Sequence, residues 1–71
     1  MKTVTFSLKN GNRDMYKEIE TSLIEMEGIE RALIDVNDGD LKVEFNEDRV
    51  GTNQVREVIE GQGAQIKEIK E

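Results

Sequence analysis

The apolar residues of this chain switch repeatedly between two spacings, and the order of those switches restricts the fold more than any single motif. Val4, Phe6 and Leu8 alternate with Thr3, Thr5 and Ser7, the two-residue period of a half-buried strand. Lys9-Asn10-Gly11-Asn12 is turn chemistry, and Asn10 or Asn12 can cap a following helix. Met15, Ile19, Leu23 and Met26 then share one helical face, with Asp14 in the first turn and Gly28 as the stop. Ala32, Ile34 and Val36 alternate again. Asn37-Asp38-Gly39-Asp40 signals a hairpin, and Leu41, Val43 and Phe45 form a third strand with Lys42 and Glu44 facing out. After the polar connection Asn46-Glu47-Asp48-Arg49, Val50 turns into the core. Thr52 is placed to cap a second helix carrying Val55, Val58 and Ile59, with Gln62 at its margin and Gly61 and Gly63 at its end. Residues 64–71 form a last, weaker strand whose lysines blunt an edge.

The order is β-α-β-β-α-β. Two crossovers and a central hairpin define a ferredoxin-like plait of the α+β class: a four-stranded antiparallel sheet with both helices on one face. The hairpin keeps strands two and three adjacent, and the two crossovers are expected to force parallel pairing of strand one with three and of two with four.

Composition excludes several kinds of function. The 71 residues include 16 acidic and 10 basic side chains, a formal charge of −6. That balance opposes a phosphate backbone and an anionic membrane surface. An RNA-binding plait needs aromatics on its open sheet face, and Thr3, Thr5, Ser7, Lys42 and Glu44 offer none. Cysteine and histidine are both absent, which removes thiolate and imidazole ligands and the usual nucleophile and general base. No carboxylate, lysine or tyrosine spacing replaces them, so no enzyme activity and no cofactor are expected. No apolar run approaches the roughly 18 residues that span a bilayer. A soluble, cytoplasmic protein without membrane insertion is expected.

Over essentially its whole length the chain resembles the heavy-metal-associated domain family, the small copper chaperones and the N-terminal modules of copper-transporting ATPases. Residues 19–29 are similar to that family's first helix and its exit. Residues 35–45 are similar to its central hairpin, and residues 50–63 to its second helix. The resemblance implies one such domain over residues 1–71. In the family, a Gly-Met-x-Cys-x-x-Cys loop between strand one and helix one holds Cu(I) on two thiolates, a soft ligand set for a soft ion. Counting back from Ile19, the cysteine positions fall on Asn12 and Met15, the methionine on Asn10, and a shielding aromatic after the second helix on Ala64. All four are changed together, which implies that the site has been given up or replaced.

Met15 is the sharpest metal candidate, because its thioether is a soft ligand at a ligand position. It also opens the apolar face of helix one, and Met1 and Met26 have no reason to converge on it, so no metal is expected. The Asp-rich turn at residues 35–40 hints at a hard cation, but it supplies too few oxygens and misses the calcium-loop register. Asn10-Gly11-Asn12-Arg13 suggests an anion nest at the helix start. Acylphosphatases use the same loop for phosphate, but their Arg and Asn arrangement is absent.

The resemblance implies a binding or regulatory module linked to copper handling, with weak or no metal affinity. Its partner would be a protein, one with a basic surface to suit the acidic residues on and after helix one. Asn10, Gly11, Asn12, Arg13 and Tyr16 are the expected partner-binding residues, and a monomer or weak dimer is expected. The alternative is a plait of the ACT type that binds a small molecule at a subunit interface.

Overall fold

The computed structural model describes residues 1–9 and 11–71; Asn10, named above as a cap candidate and partner-binding residue, lies outside the described residues. The elements are β1 (Lys2–Lys9), α1 (Arg13–Ile24), β2 (Ile29–Asp35), β3 (Asp40–Phe45), α2 (Thr52–Gly61) and β4 (Gln65–Lys70). The strands form one four-stranded sheet in the order β2-β3-β1-β4. β1 runs antiparallel to β3, with Val4 opposite Val43 and Phe6 opposite Leu41. It also runs antiparallel to β4, with Phe6 opposite Ile69. β2 and β3 are joined as an antiparallel hairpin closed by Asp35 opposite Asp40. This is the ferredoxin-like plait.

Both expected parallel pairings are corrected: strand one does meet strand three, but antiparallel. Strands two and four do not meet; they occupy opposite edges of the sheet. The helix α1 returns the chain parallel to β1 but one strand away. The hairpin then turns β3 back into the gap, and α2 repeats the move on the far side of β1.

The core lies between the sheet and the helices. Val4 and Phe6 of β1, Leu41, Val43 and Phe45 of β3, Ile19 and Leu23 of α1, and Val55 and Ile59 of α2 are all fully buried. Each contributes about 1.5–3 kcal/mol relative to an exposed position. The buried stripe of α1 is Tyr16, Ile19 and Leu23, while Met15 and Met26 are half-buried on its flanks. The stripe is rotated towards Tyr16 because an aromatic ring has more surface to bury than a methionine.

Helix α1 closes at Ile24. The Met26 N–H donates to the Leu23 carbonyl at 3.0 Å, so Met26 packs from the turn. Gly28 takes φ = 97° but is not the helix stop expected of it: the C-cap is Glu25, and Gly28 instead turns the chain into β2. Its carbonyl accepts the Asn46 N–H at 2.8 Å. Helix α2 is capped at Gly51 and not at Thr52, which is its first helical residue. The Gln54 side chain turns back to accept the Gly51 N–H at 2.8 Å. Gln62 donates from Nε2 to Ser22 Oγ at 2.8 Å and so ties the two helices together.

Ser7 was expected on a solvated face but is buried. Its hydroxyl donates to Asp40 Oδ1 at 2.9 Å, and the β1–β4 register shifts beside it, between Ser7 and Leu8. Among the described residues, no helix is long and apolar enough to cross a membrane.

Candidate functional site

The loop between β1 and α1 is built around Asn12. Its backbone is extended, with φ = −124° and ψ = 170°, and α1 begins at the next residue. The Asn12 side-chain oxygen accepts the Met15 N–H at 2.9 Å. Its carbonyl accepts the Tyr16 N–H at 3.0 Å. The choice of cap left open by the sequence thus falls on Asn12, which satisfies an otherwise unpaired donor of the first turn. Arg13 and Asp14 are exposed, and Met15 is half-buried against the core.

Tyr16 closes the loop from below. It is only 6% exposed. A β-carbon on Gly11 would lie 2.5 Å from Tyr16 Cζ and 2.7 Å from its hydroxyl oxygen, so the ring is packed directly beneath the loop backbone. The tip of the β2–β3 hairpin meets the same ring. Gly39 has φ = 76°, and a β-carbon there would stand 3.2 Å from the Tyr16 hydroxyl and 2.8 Å from the Leu8 carbonyl oxygen. The Gly39 carbonyl accepts the Leu8 N–H at 2.8 Å. Loop, helix and hairpin are therefore locked around one phenol. Ala64, the position implied for a shielding aromatic, is buried. The helical face read from the sequence, Met15, Ile19, Leu23 and Met26, leaves out Tyr16; the glycines at 11 and 39 are the signal that a large ring needs room there.

The other candidates resolve into structural roles. Asp35 Oδ1 accepts the backbone N–H groups of Asn37 at 3.0 Å and Asp38 at 3.4 Å, so the acidic turn is organised by its own carboxylate. Among the described residues no group of three or more acidic, histidine or cysteine side chains could hold a metal ion. Most of the acidic side chains are exposed, Glu18, Glu25, Glu27 and Glu30 on or after α1 among them. Glu27 pairs with Arg49 and so joins the exit of α1 to the β3–α2 connection. Sequence reasoning did not single out a depression of about 480 Å³ on the open face of the sheet, lined by Thr5, Leu33, Asp40, Lys42 and Lys70 among others. Those residues come together only through strand register.

The site is thus a capped strand-to-helix loop on a ferredoxin-like βαββαβ plait. No protein-family model matches the chain. A copper chaperone CopZ of Staphylococcus saprophyticus is 34% identical to it over 68 residues, 94% of this chain and 100% of the relative. The chain belongs to the heavy-metal-associated family of small copper chaperones. Among solved structures, a CopZ metallochaperone superposes with a TM-score of 0.86 at 18% identity, covering 92% of this chain and 98% of its own. A chain of the Atx1–Cu(I)–Ccc2a complex superposes with a TM-score of 0.79 at 18% identity, covering 96% and 97% respectively. Both likenesses are ones of fold.

The donors present do not fit a two-thiolate centre. One position carries an amide whose oxygen is committed to the helix, the other a half-buried thioether, and no cysteine or histidine exists elsewhere in the chain to replace them.

Proposed function

We propose that this chain works in copper handling as a cysteine-free member of its family, recognising a protein partner and carrying little or no Cu(I) itself. The observation that carries the reading is the Asn12 cap: the residue that the resemblance puts at the first ligand position spends its side-chain oxygen on the helix. On this reading residues 1–71 act as one heavy-metal-associated-like, non-enzymatic unit in the cytoplasm, as a monomer or weak dimer. Asn10, Gly11, Asn12 and Arg13 are on this reading the partner-binding residues, with Tyr16 buried against Gly11. The exposed acids on and after α1 suit a basic partner through complementary charge. The likeness in fold to a chain of the Atx1–Cu(I)–Ccc2a complex supports a protein partner of the same plait.

Two titrations test this. Cu(I) competition should give no tight stoichiometric binding, and stoichiometric tight copper would refute the reading. Addition of a heavy-metal-associated domain with a basic surface to the labelled chain should move amide resonances around residues 11–16 and the acidic side of α1. A saturating addition that leaves them unmoved would remove the partner surface.

A further inference from the structure

Each edge strand of a sheet carries unpaired backbone N–H and C=O groups and is a template for a further strand unless something blocks it. The edges here are β2 and β4. β4 presents exposed Lys67 and Lys70, which oppose pairing. β2 contains neither lysine nor proline, and Leu33, at the centre of residues 31–35, is 52% exposed.

The residues around Leu33 are self-complementary. Arg31, Leu33 and Asp35 lie on the open face of the sheet, with Ala32 and Ile34 on the core face. In an antiparallel pair, directly opposite residues share a face. With a two-fold axis at Leu33, β2 of a second copy brings Leu33 against Leu33 and Ala32 against Ile34. The same register sets Arg31 of each copy opposite Asp35 of the other. Moving the axis by one residue in either direction sets Leu33 opposite Arg31 or opposite Asp35 and leaves both charges unmatched.

The charged groups are free to be shared. The Arg31–Glu44 contact is long, at 4.0 Å, and exposed. Asp35 uses Oδ1 within its own turn. The irregularity between Ile29 and Arg31 limits regular pairing to residues 31–35.

We propose that β2 is a homodimerisation edge, on which two copies of this chain join antiparallel about Leu33 into one continuous sheet, held by reciprocal Arg31–Asp35 pairs. The paired stretch is short and each copy carries a charge of −6, so the dimer is weak.

Sedimentation velocity on the full chain from roughly 10 µM to roughly 1 mM, the range in which weak association registers, should show a concentration-dependent dimer. Amide resonances of residues 31–35 should shift with it. Leu33→Lys sets two like charges at the axis, and Arg31→Glu sets Glu opposite Asp35. Each should weaken self-association by at least about tenfold, equivalent to about 1.4 kcal/mol. Mixing Arg31→Glu with Asp35→Lys restores both opposite-charge pairs and should recover association between the two variants. Circular dichroism checks each variant's fold, since Asp35→Lys also loses both turn hydrogen bonds that Asp35 accepts; if that variant does not fold, the other two decide. A chain monomeric throughout the range, or folded Leu33→Lys and Arg31→Glu variants that associate like the parent, would overturn the proposal.

Discussion

The side chain of Asn12 and the backbone of Met15 are joined by a 2.9 Å hydrogen bond, so the two residues that the resemblance puts at the ligand positions meet here as partners in a helix cap. Asn12 performs the local task that the start of a helix demands: it supplies an oxygen to receive a first-turn N–H.

Removing that oxygen should therefore cost stability. Asn12→Ala is expected to lower unfolding free energy by about 1 kcal/mol, whereas Asn12→Asp should retain the parent's stability, since a carboxylate also caps and suits the helix dipole. Urea denaturation of both variants checks this, and equal loss in the two would show that the cap contributes nothing.

Restoring the ligands should restore metal binding. The double variant Asn12→Cys, Met15→Cys places two thiols on either side of the first turn of α1. Cu(I) affinity should rise over the parent by at least about tenfold, or about 1.4 kcal/mol. Fold stability should fall, through the lost amide cap and the methylene volume lost at Met15. Equal copper affinity in parent and variant would mean that the positions do not correspond to the family's ligands.

The contact between Gly11 and the Tyr16 ring should appear as coupling. Gly11→Ala drives a methyl group into the ring and should cost about 1–3 kcal/mol. In a Tyr16→Leu background, where the ring is gone, the same change should cost clearly less, giving a double-mutant coupling of at least about 0.5 kcal/mol. Additive effects would mean that the ring is not what excludes a side chain at position 11.

Lys2 provides a pH test. Its ammonium meets the Glu71 carboxylate at 2.7 Å and Glu47 at 4.0 Å. Chiefly through the hydrogen bond to Glu71, its pKa is raised above the ordinary 10.5; desolvation opposes the rise, and the Glu71 and Glu47 charges add to it. A raised folded-state pKa contributes stability that is fully present below the unfolded value and fades as pH climbs through the folded one. The contribution should thus hold through neutral pH and decline only in alkali above 10.5. By NMR, Lys2 should titrate above the ordinary 10.5, and Glu71→Gln should move its titration earlier. No change on that substitution would remove Glu71 as the cause.

The plait itself was legible along the chain. Strand and helix leave different periods in the apolar residues, and both periods are local properties of the backbone. Val4, Phe6 and Leu8, and Leu41, Val43 and Phe45, marked the core-facing sides of β1 and β3 because alternation is imposed residue by residue. Gly28 marked the turn from α1 into β2, though not the helix cap itself, because a positive φ favours that residue type. The loss of the thiolates could be read directly, since a missing residue type needs no structure to detect.

Tertiary packing decided the rest. Strands two and four looked like partners until β3 and β1 were seen to fill the space between them, because strand order depends on where crossovers land and not on any local period. Asn10 and Asn12 were equivalent as caps in sequence; the cap fell to Asn12, whose carboxamide the helix start brings within reach of the Met15 N–H. Met15 and Tyr16 competed for the buried side of α1, and the hollow beneath Gly11 and Gly39 went to Tyr16, because only the assembled loop, helix and hairpin define a space that a phenol ring fills.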